Sequence, residues 1–484
     1  MNWIALAEVL YFIIMLLVIL RVLYDTRSGS KTLAYILFII LIPVVGILFY
    51  FSFGINYRKR KLYSKKLVRD KILSNKIHQR LSQYSEKVRA SELFPAHFIK
   101  LTSFIEAGNK SPLTANNTVC HLVNGEQKFP VLLKALESAT SHIHLEYYIY
   151  EDDVTGNAIA DVLIRKASEG VEVRFLYDDF GSHSLGKKFL NRLKNGGVET
   201  VPFYKVRWYA FANRLNYRNH RKIIIIDGIK SFVGGINISD KYRNDLEGKQ
   251  KIYWRDTHLM LEGRATFYLQ YIFLCDWNFG HEPKLEFVPR YFPIYQTDEK
   301  IDKEIVQIVA SGPDSDLPVV LYSIIKAIGA ATKKVLITSP YFIPGEALID
   351  QLIIAAKSGI EIKLLIPGIS DSKIVNAAAR AYYTELLRFG VRIFEYQKGF
   401  VHAKTIVIDD SLSMVGSANM DYRSFDLNFE VNAIVYSETI NTQLKETFYN
   451  DLKDSIEIKA EDWLARPKYV FVWEKLVRLL SPFL

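Results

Sequence analysis

An eight-residue stretch occurs twice in this chain, as His220-Arg-Lys222-Ile-Ile-Ile-Ile-Asp227 and as His402-Ala-Lys404-Thr-Ile-Val-Ile-Asp409, 182 residues apart. In an extended strand residues i and i+2 project to one face, so each histidine shares a face with its lysine while the aliphatic run behind them buries the strand. A second matched stretch follows each copy, Gly234-Gly235-Ile-Asn237 in one half and Gly416-Ser417-Ala-Asn419 in the other. One histidine ahead of an apolar run is commonly structural. Two copies with the same downstream glycine and asparagine predict a duplicated unit with one site on its pseudo-twofold axis.

The rest of the chain divides around this repeat. Alternating strand and helix patterns recur in both halves: strands at 142–150 and 171–177 around a helix at 156–168, then strands at 334–338 and 360–366 around a helix at 346–358. This predicts an α/β sandwich in each half, at 113–295 and 296–465. Two apolar stretches precede them, Trp3 to Leu23 and the uncharged Thr32 to Ile55, each long enough for a hydrocarbon core of about 30 Å. Residues 1–57 are therefore expected to be two transmembrane helices, 58–112 a basic helical connector, and 466–484 an amphipathic tail that either lies on the membrane or docks on the domain. A cleaved signal peptide fits the first stretch poorly, because it lacks a positive leader and a small-residue cleavage site.

Charge sets the expected partners. The net charge is +10, of which Arg58 to Lys71 alone supplies +7 (eight basic residues against Asp70). Such concentration argues for anionic lipid headgroups and against a broad nucleic-acid face, and by the positive-inside rule it places the large region in the cytoplasm. The loop from Lys205 to Arg218, about eleven residues longer than its counterpart, mixes arginines with Trp208, Tyr209, Phe211 and Tyr217 and suits a lipid interface or a plain solvated surface. Cys120 and Cys275 are the only cysteines and imply no disulfide scaffold.

Two histidines, two lysines and two asparagines meet the needs of phosphodiester exchange. One imidazole attacks phosphorus, the other protonates the departing oxygen, and Lys222, Lys404, Asn237 and Asn419 hold the phosphate, with Gly235 and Ser417 allowing close backbone approach. A metal hydrolase fits less well, since a lysine would sit beside each ligand; no metal or cofactor is expected. His142 and His144 read as structural.

The twin His-x-Lys-(x)4-Asp motifs with Gly-Gly/Ser-x-Asn behind them resemble the phospholipase D superfamily, and the membrane segments narrow the resemblance to its bacterial cardiolipin synthases. The resemblance implies a catalytic set of His220, Lys222, Asp227, His402, Lys404 and Asp409, with Glu430 and Asp256 orienting the imidazoles. It further implies conversion of two phosphatidylglycerols to cardiolipin and glycerol at the bacterial cell membrane, with no nucleic acid involved. Hydrolysis of the same intermediate, another headgroup alcohol, or a nuclease are the competing readings. His220 is expected to be the nucleophile, partly because Arg218 and Arg221 flank it and favour its neutral form.

Overall fold

The computed structural model describes residues 3–26, 29–51, 81–203, 217–246, 252–281, 284–293, 300–301, 303–370 and 372–481. The basic cluster at 58–71 and residues 204–216 of the arginine-aromatic loop lie outside these.

The first half contains β1 (Thr114–Val123), β2 (His142–Tyr147), β3 (Glu172–Tyr177), β4 (Glu199–Pro202), β5 (Lys222–Ile226), β6 (Lys230–Gly234), the short β7 (Tyr253–Arg255) and β8 (Thr257–Glu262). The second contains β9 (Glu304–Ser311), β10 (Lys334–Thr338), β11 (Phe342–Ile343), β12 (Glu361–Pro367), β13 (Arg392–Tyr396), β14 (Gly399–Val401), β15 (Thr405–Ile408), β16 (Leu412–Gly416), β17 (Met420–Asp421), β18 (Glu430–Tyr436) and β19 (Ser455–Glu457). Fifteen of these strands form one sheet in the order β19-β13-β12-β10-β15-β16-β18-β9-β1-β8-β6-β5-β2-β3-β4. Read outward from the β9–β1 seam, the two halves share one seven-strand order, with β19 added at the outer edge of the second, which is the predicted duplication in its simplest form. The halves are joined edge to edge, so each covers the sheet edge that the other would expose.

Helices cover both faces. One apolar cluster runs under both halves and includes Ile223 and Ile225 of β5, Val407 of β15 and the helices Thr266–Gly280 and Glu438–Lys453. On the opposite face two clusters, one per half, take Ile224 and Ile226 in the first and Ile406 and Ile408 in the second. Burial on both faces is why the motif strands are unbroken aliphatic runs. The helix at 154–168 begins where Asp153 accepts a hydrogen bond from the Gly156 N–H at 2.9 Å, an N-cap that fixes its start.

At the N-terminus one helix, Trp3–Asp25, is long and apolar enough to cross a membrane. The second apolar stretch departs from the single span expected: it forms Gly29–Leu41 and Pro43–Phe49 with a break at Ile42, and residues 52–55 lie outside the description. Pro43 has no N–H to continue the first helix and stands at the opening of the second, which explains the break.

Of the two placements considered for the tail, the structure shows docking on the domain. Helix Lys468–Arg478 docks on Lys373–Arg388, with Val477 buried and Glu474 bonded to Arg380 (3.2 Å) and Arg466 (2.8 Å), while Tyr469, Val472, Trp473 and Leu476 remain outward.

Candidate active site

Strand parity decides which motif residues meet. His220 and Lys222 fall on the same face as Ile224, whereas Arg221 falls with Ile223 and points toward the helix at 266–280. There Arg221 pairs with buried Asp276 and donates to the Glu430 carbonyl at 3.3 Å. The second half has Ala403 at the matching position and places His402 and Lys404 on the reactive side.

Each histidine takes its orienting acid from the opposite half. His220 Nδ1 lies 2.9 and 3.0 Å from the two carboxylate oxygens of Glu430 on β18, and His402 Nδ1 lies 2.7 Å from Asp256 Oδ2, between β7 and β8. The backbone repeats the exchange: the His220 N–H donates to the Phe429 carbonyl (3.0 Å) and the His402 N–H to the Arg255 carbonyl (2.7 Å). A carboxylate at Nδ1 favours the tautomer whose Nε2 carries the lone pair, leaving that nitrogen to react. Ser417 Oγ donates to Glu430 Oε2 at 2.5 Å. At the matching position Gly235 has no side chain, and a Cβ there would stand 2.2 Å from Asp256 Oδ1. Both were expected to present backbone to phosphate. Instead the Gly235 and Ser417 N–H groups donate to the Thr257 and Val431 carbonyls, each at 2.9 Å, so the two residues back the acids.

The closing aspartates are a second correction. Asp227 accepts from the backbone N–H groups of Thr140, Ser141 and His142 (2.8, 2.8 and 2.9 Å), and Asp409 does the same for Thr332, Lys333 and Lys334 (2.8, 2.7 and 3.0 Å). They sit at the far end of the strand, seven residues or roughly 20 Å from the histidine, and clamp β5 to β2 and β15 to β10. Both adopt positive φ, 54° and 51°, a conformation that Asp tolerates better than most residues.

The lysines lie under the histidines. Lys222 Nζ donates to the His220 carbonyl at 2.6 Å, and Lys404 Nζ to the His402 carbonyl, with His402 Nδ1 2.9 Å away. Burial lowers His220 to about 4, with Lys222 and Lys404 adding to the effect and Glu430 opposing it. His402 falls to about 3, by burial and then Lys404, against Asp256. Each imidazole thus feels the other half's lysine, as expected of one shared site. Arg218 and Arg221 are not among the principal causes for His220, and burial favours the neutral form of both imidazoles alike, so protonation does not single out His220 as nucleophile. Lys222 is lowered to about 7, again chiefly by burial. Burial works against ionisation of Glu430 and Asp256, yet the adjacent histidines and lysines hold both below the ordinary carboxylate range.

Asn237 donates to the Tyr242 hydroxyl at 2.6 Å, and the buried amide oxygen of Asn419 has no hydrogen-bond partner among the described residues. An aromatic wall that sequence reasoning missed completes the site. Tyr148 stands 4.8 Å from the His220 ring, and Trp254, Tyr242 and Phe400 stand 5.4, 5.8 and 5.9 Å from His402. The signal for Trp254 was the adjacent aromatic pair Tyr253-Trp254 just ahead of Asp256. His142 and His144 lie buried on β2, each against Gln270.

The family description "Cardiolipin synthase, PLD-like domain" fits residues 132–258 and again 324–452, and "Phospholipase D-nuclease N-terminal" fits 10–54. The cardiolipin synthase of Halalkalibacterium halodurans is 41% identical over 100% of this chain and 95% of its own. The major cardiolipin synthase ClsA of Bacillus subtilis is 40% identical over 98% of each. Among solved structures, phosphatidylserine synthase from Haemophilus influenzae superposes with a TM-score of 0.58 at 14% identity, over 80% of this chain and 100% of that one, a likeness of fold.

Proposed function

The chain belongs to the cardiolipin synthase family with phospholipase D-like domains, and from that premise we propose that it joins two phosphatidylglycerols into cardiolipin and glycerol through a phosphohistidine. In the first step an imidazole Nε2 bonds to phosphorus, the bond to the headgroup oxygen breaks, and the other imidazole gives that oxygen a proton so that glycerol leaves. In the second, the headgroup hydroxyl of another phosphatidylglycerol attacks phosphorus, its proton returns to the same imidazole, and the phosphorus–nitrogen bond breaks. The arriving phosphate supplies the negative charge that lets one histidine hold a proton beside Lys222 and Lys404. We assign the nucleophile to His220 and the proton shuttle to His402, a choice that rests on the superfamily pattern. Asn237 and Asn419 complete the phosphate cradle through their side-chain amide N–H donors.

The observation that carries this reading is the reciprocal pairing of His220 with Glu430 and His402 with Asp256. Two imidazoles held the same way from opposite halves supply one attacking nitrogen and one proton carrier to a shared phosphate. The apolar helix at 3–25 and the basic cluster at 58–71 support attachment to the cell membrane with the catalytic halves on the cytoplasmic side. The deciding experiment supplies labelled phosphatidylglycerol alone in vesicles. Cardiolipin and glycerol in equal amounts are expected, whereas phosphatidic acid as the sole lipid product would make the enzyme a hydrolase.

A further inference from the structure

The two halves depart from their symmetry two residues ahead of each catalytic-motif histidine. Counting back two residues from each histidine along the extended chain gives Arg218 in the first half and Phe400 in the second, each on the side of its histidine and lysine. Phe400 belongs to the aromatic wall, 5.0 Å from Trp254 and 6.3 Å from Tyr341 between ring centroids. Arg218 is only 3% exposed, its guanidinium lying 4.3 Å over the Phe180 ring. Among the described residues that guanidinium makes no hydrogen bond, and its Nη1 is closed off from solvent. Asp178 stands 4.0 Å away, beyond hydrogen-bond reach, and its oxygens already accept from the N–H groups of Phe180 (3.0 Å), Gly181 (2.9 Å) and Asn219 (3.0 Å).

An unsatisfied buried guanidinium is costly to hold. Asp178 and Asp179 offset the charge of Arg218, and Arg423, on the turn after Asn419, opposes them, yet none of these hydrogen-bonds to the buried Nη1. Both arginines act on Tyr148, whose ring stands against His220. Two like charges gathered beside a nucleophile, one of them with unused donors, are arranged for an anion, and a guanidinium fits a phosphodiester best.

We propose that Arg218 and Arg423 bind the phosphodiester of the acceptor lipid, the second phosphatidylglycerol, during the transfer step. This rests on the reaction proposed above and adds what selects its acceptor. Arg218 is one pleat repeat, about 7 Å, from His220 along the strand. The three-carbon bridge between two phosphates in the product spans a comparable ~7 Å, being six single bonds of about 1.5 Å. With charge on the His220 flank and Phe400 on the other, the acceptor enters in one orientation, and water lacks the group that the arginines hold.

The test uses the full-length enzyme in vesicles with labelled phosphatidylglycerol as donor and compares two acceptors, unlabelled phosphatidylglycerol and 1-oleoylglycerol, which has the hydroxyl but no phosphate. Arg218→Gln and Arg423→Gln should each lower the preference for the phosphorylated acceptor, as the ratio of kcat/KM values, by at least tenfold, with more phosphatidic acid released. Arg218→Lys should restore part of the preference. Both acceptors slowed by one common factor in both Gln variants, leaving the ratio intact, would overturn the proposal and make the arginines structural. A parent enzyme that forms no cardiolipin would instead overturn the underlying reaction.

Discussion

At the scale of single residues, this site is governed by the cost of burying charge. His220 at about 4, His402 at about 3 and Lys222 at about 7 are all held below their ordinary values by desolvation first. An anion between them favours their protonated forms, so binding takes up protons. Affinity should therefore rise as pH falls through the bound-state values and level off below the free-state ones. Sulfate keeps its charge across this range and is the suitable probe. Its affinity, measured by calorimetry between pH 8 and pH 5, should rise at least tenfold, and Lys222→Met should remove the portion nearest neutrality. An affinity independent of pH would mean that the three groups do not face the anion. The same desolvation explains why the protonation states were not legible in the sequence: flanking arginines were visible there, but the opposite faces to which parity sends Arg221 and His220 decide which charges matter.

At the scale of elements, the repeat was legible because aliphatic strands buried on both faces cannot be disguised, and the strand-helix alternation came through in both halves. What the spelling of the motif hid was the destination of its last residue. Asp227 and Asp409 read as catalytic because they close a catalytic motif, yet each closes a strand pair instead, with three backbone donors apiece. Hydrogen bonds to a charged group contribute about 1.5–3 kcal/mol each, only part of which is lost when water can replace the partner. Asp409→Ala should therefore destabilise the protein by on the order of 2–4 kcal/mol and lower its unfolding midpoint by several degrees. The folded fraction should keep its kcat within about threefold. A loss of a hundredfold or more in kcat with an unchanged midpoint would return Asp409 to the reaction. The Pro43 break was likewise written in the sequence, where an apolar count alone overrode it.

At the scale of the whole molecule, neither half owns a complete site: the sheet is continuous through β9 and β1, and each acid serves the other half's histidine. Glu430 and Asp256 were identifiable through resemblance, but the crossing between halves is a consequence of the pseudo-twofold axis, which only the folded chain defines. The crossing makes a specific demand on kinetics. If His220 attacks phosphorus, Glu430→Gln weakens the orientation and basicity of the attacking imidazole and should slow adduct formation by two or more orders of magnitude, as expected for loss of a carboxylate that fixes a reacting histidine. Asp256→Asn cripples the proton carrier instead. With a donor whose leaving group needs no proton, it should form the phosphohistidine at a rate near the parent's and then accumulate it, because no base is left to take the acceptor's proton. Adding His402→Ala to Asp256→Asn should cost little more, since the two residues act as a unit although they belong to different halves. Intact-protein mass spectrometry over a time course reads both steps. Accumulation in Glu430→Gln with none in Asp256→Asn would exchange the two histidines' roles while keeping the crossing. Parent-like kinetics in both variants would show that the crossed carboxylates hold the halves together without serving the reaction.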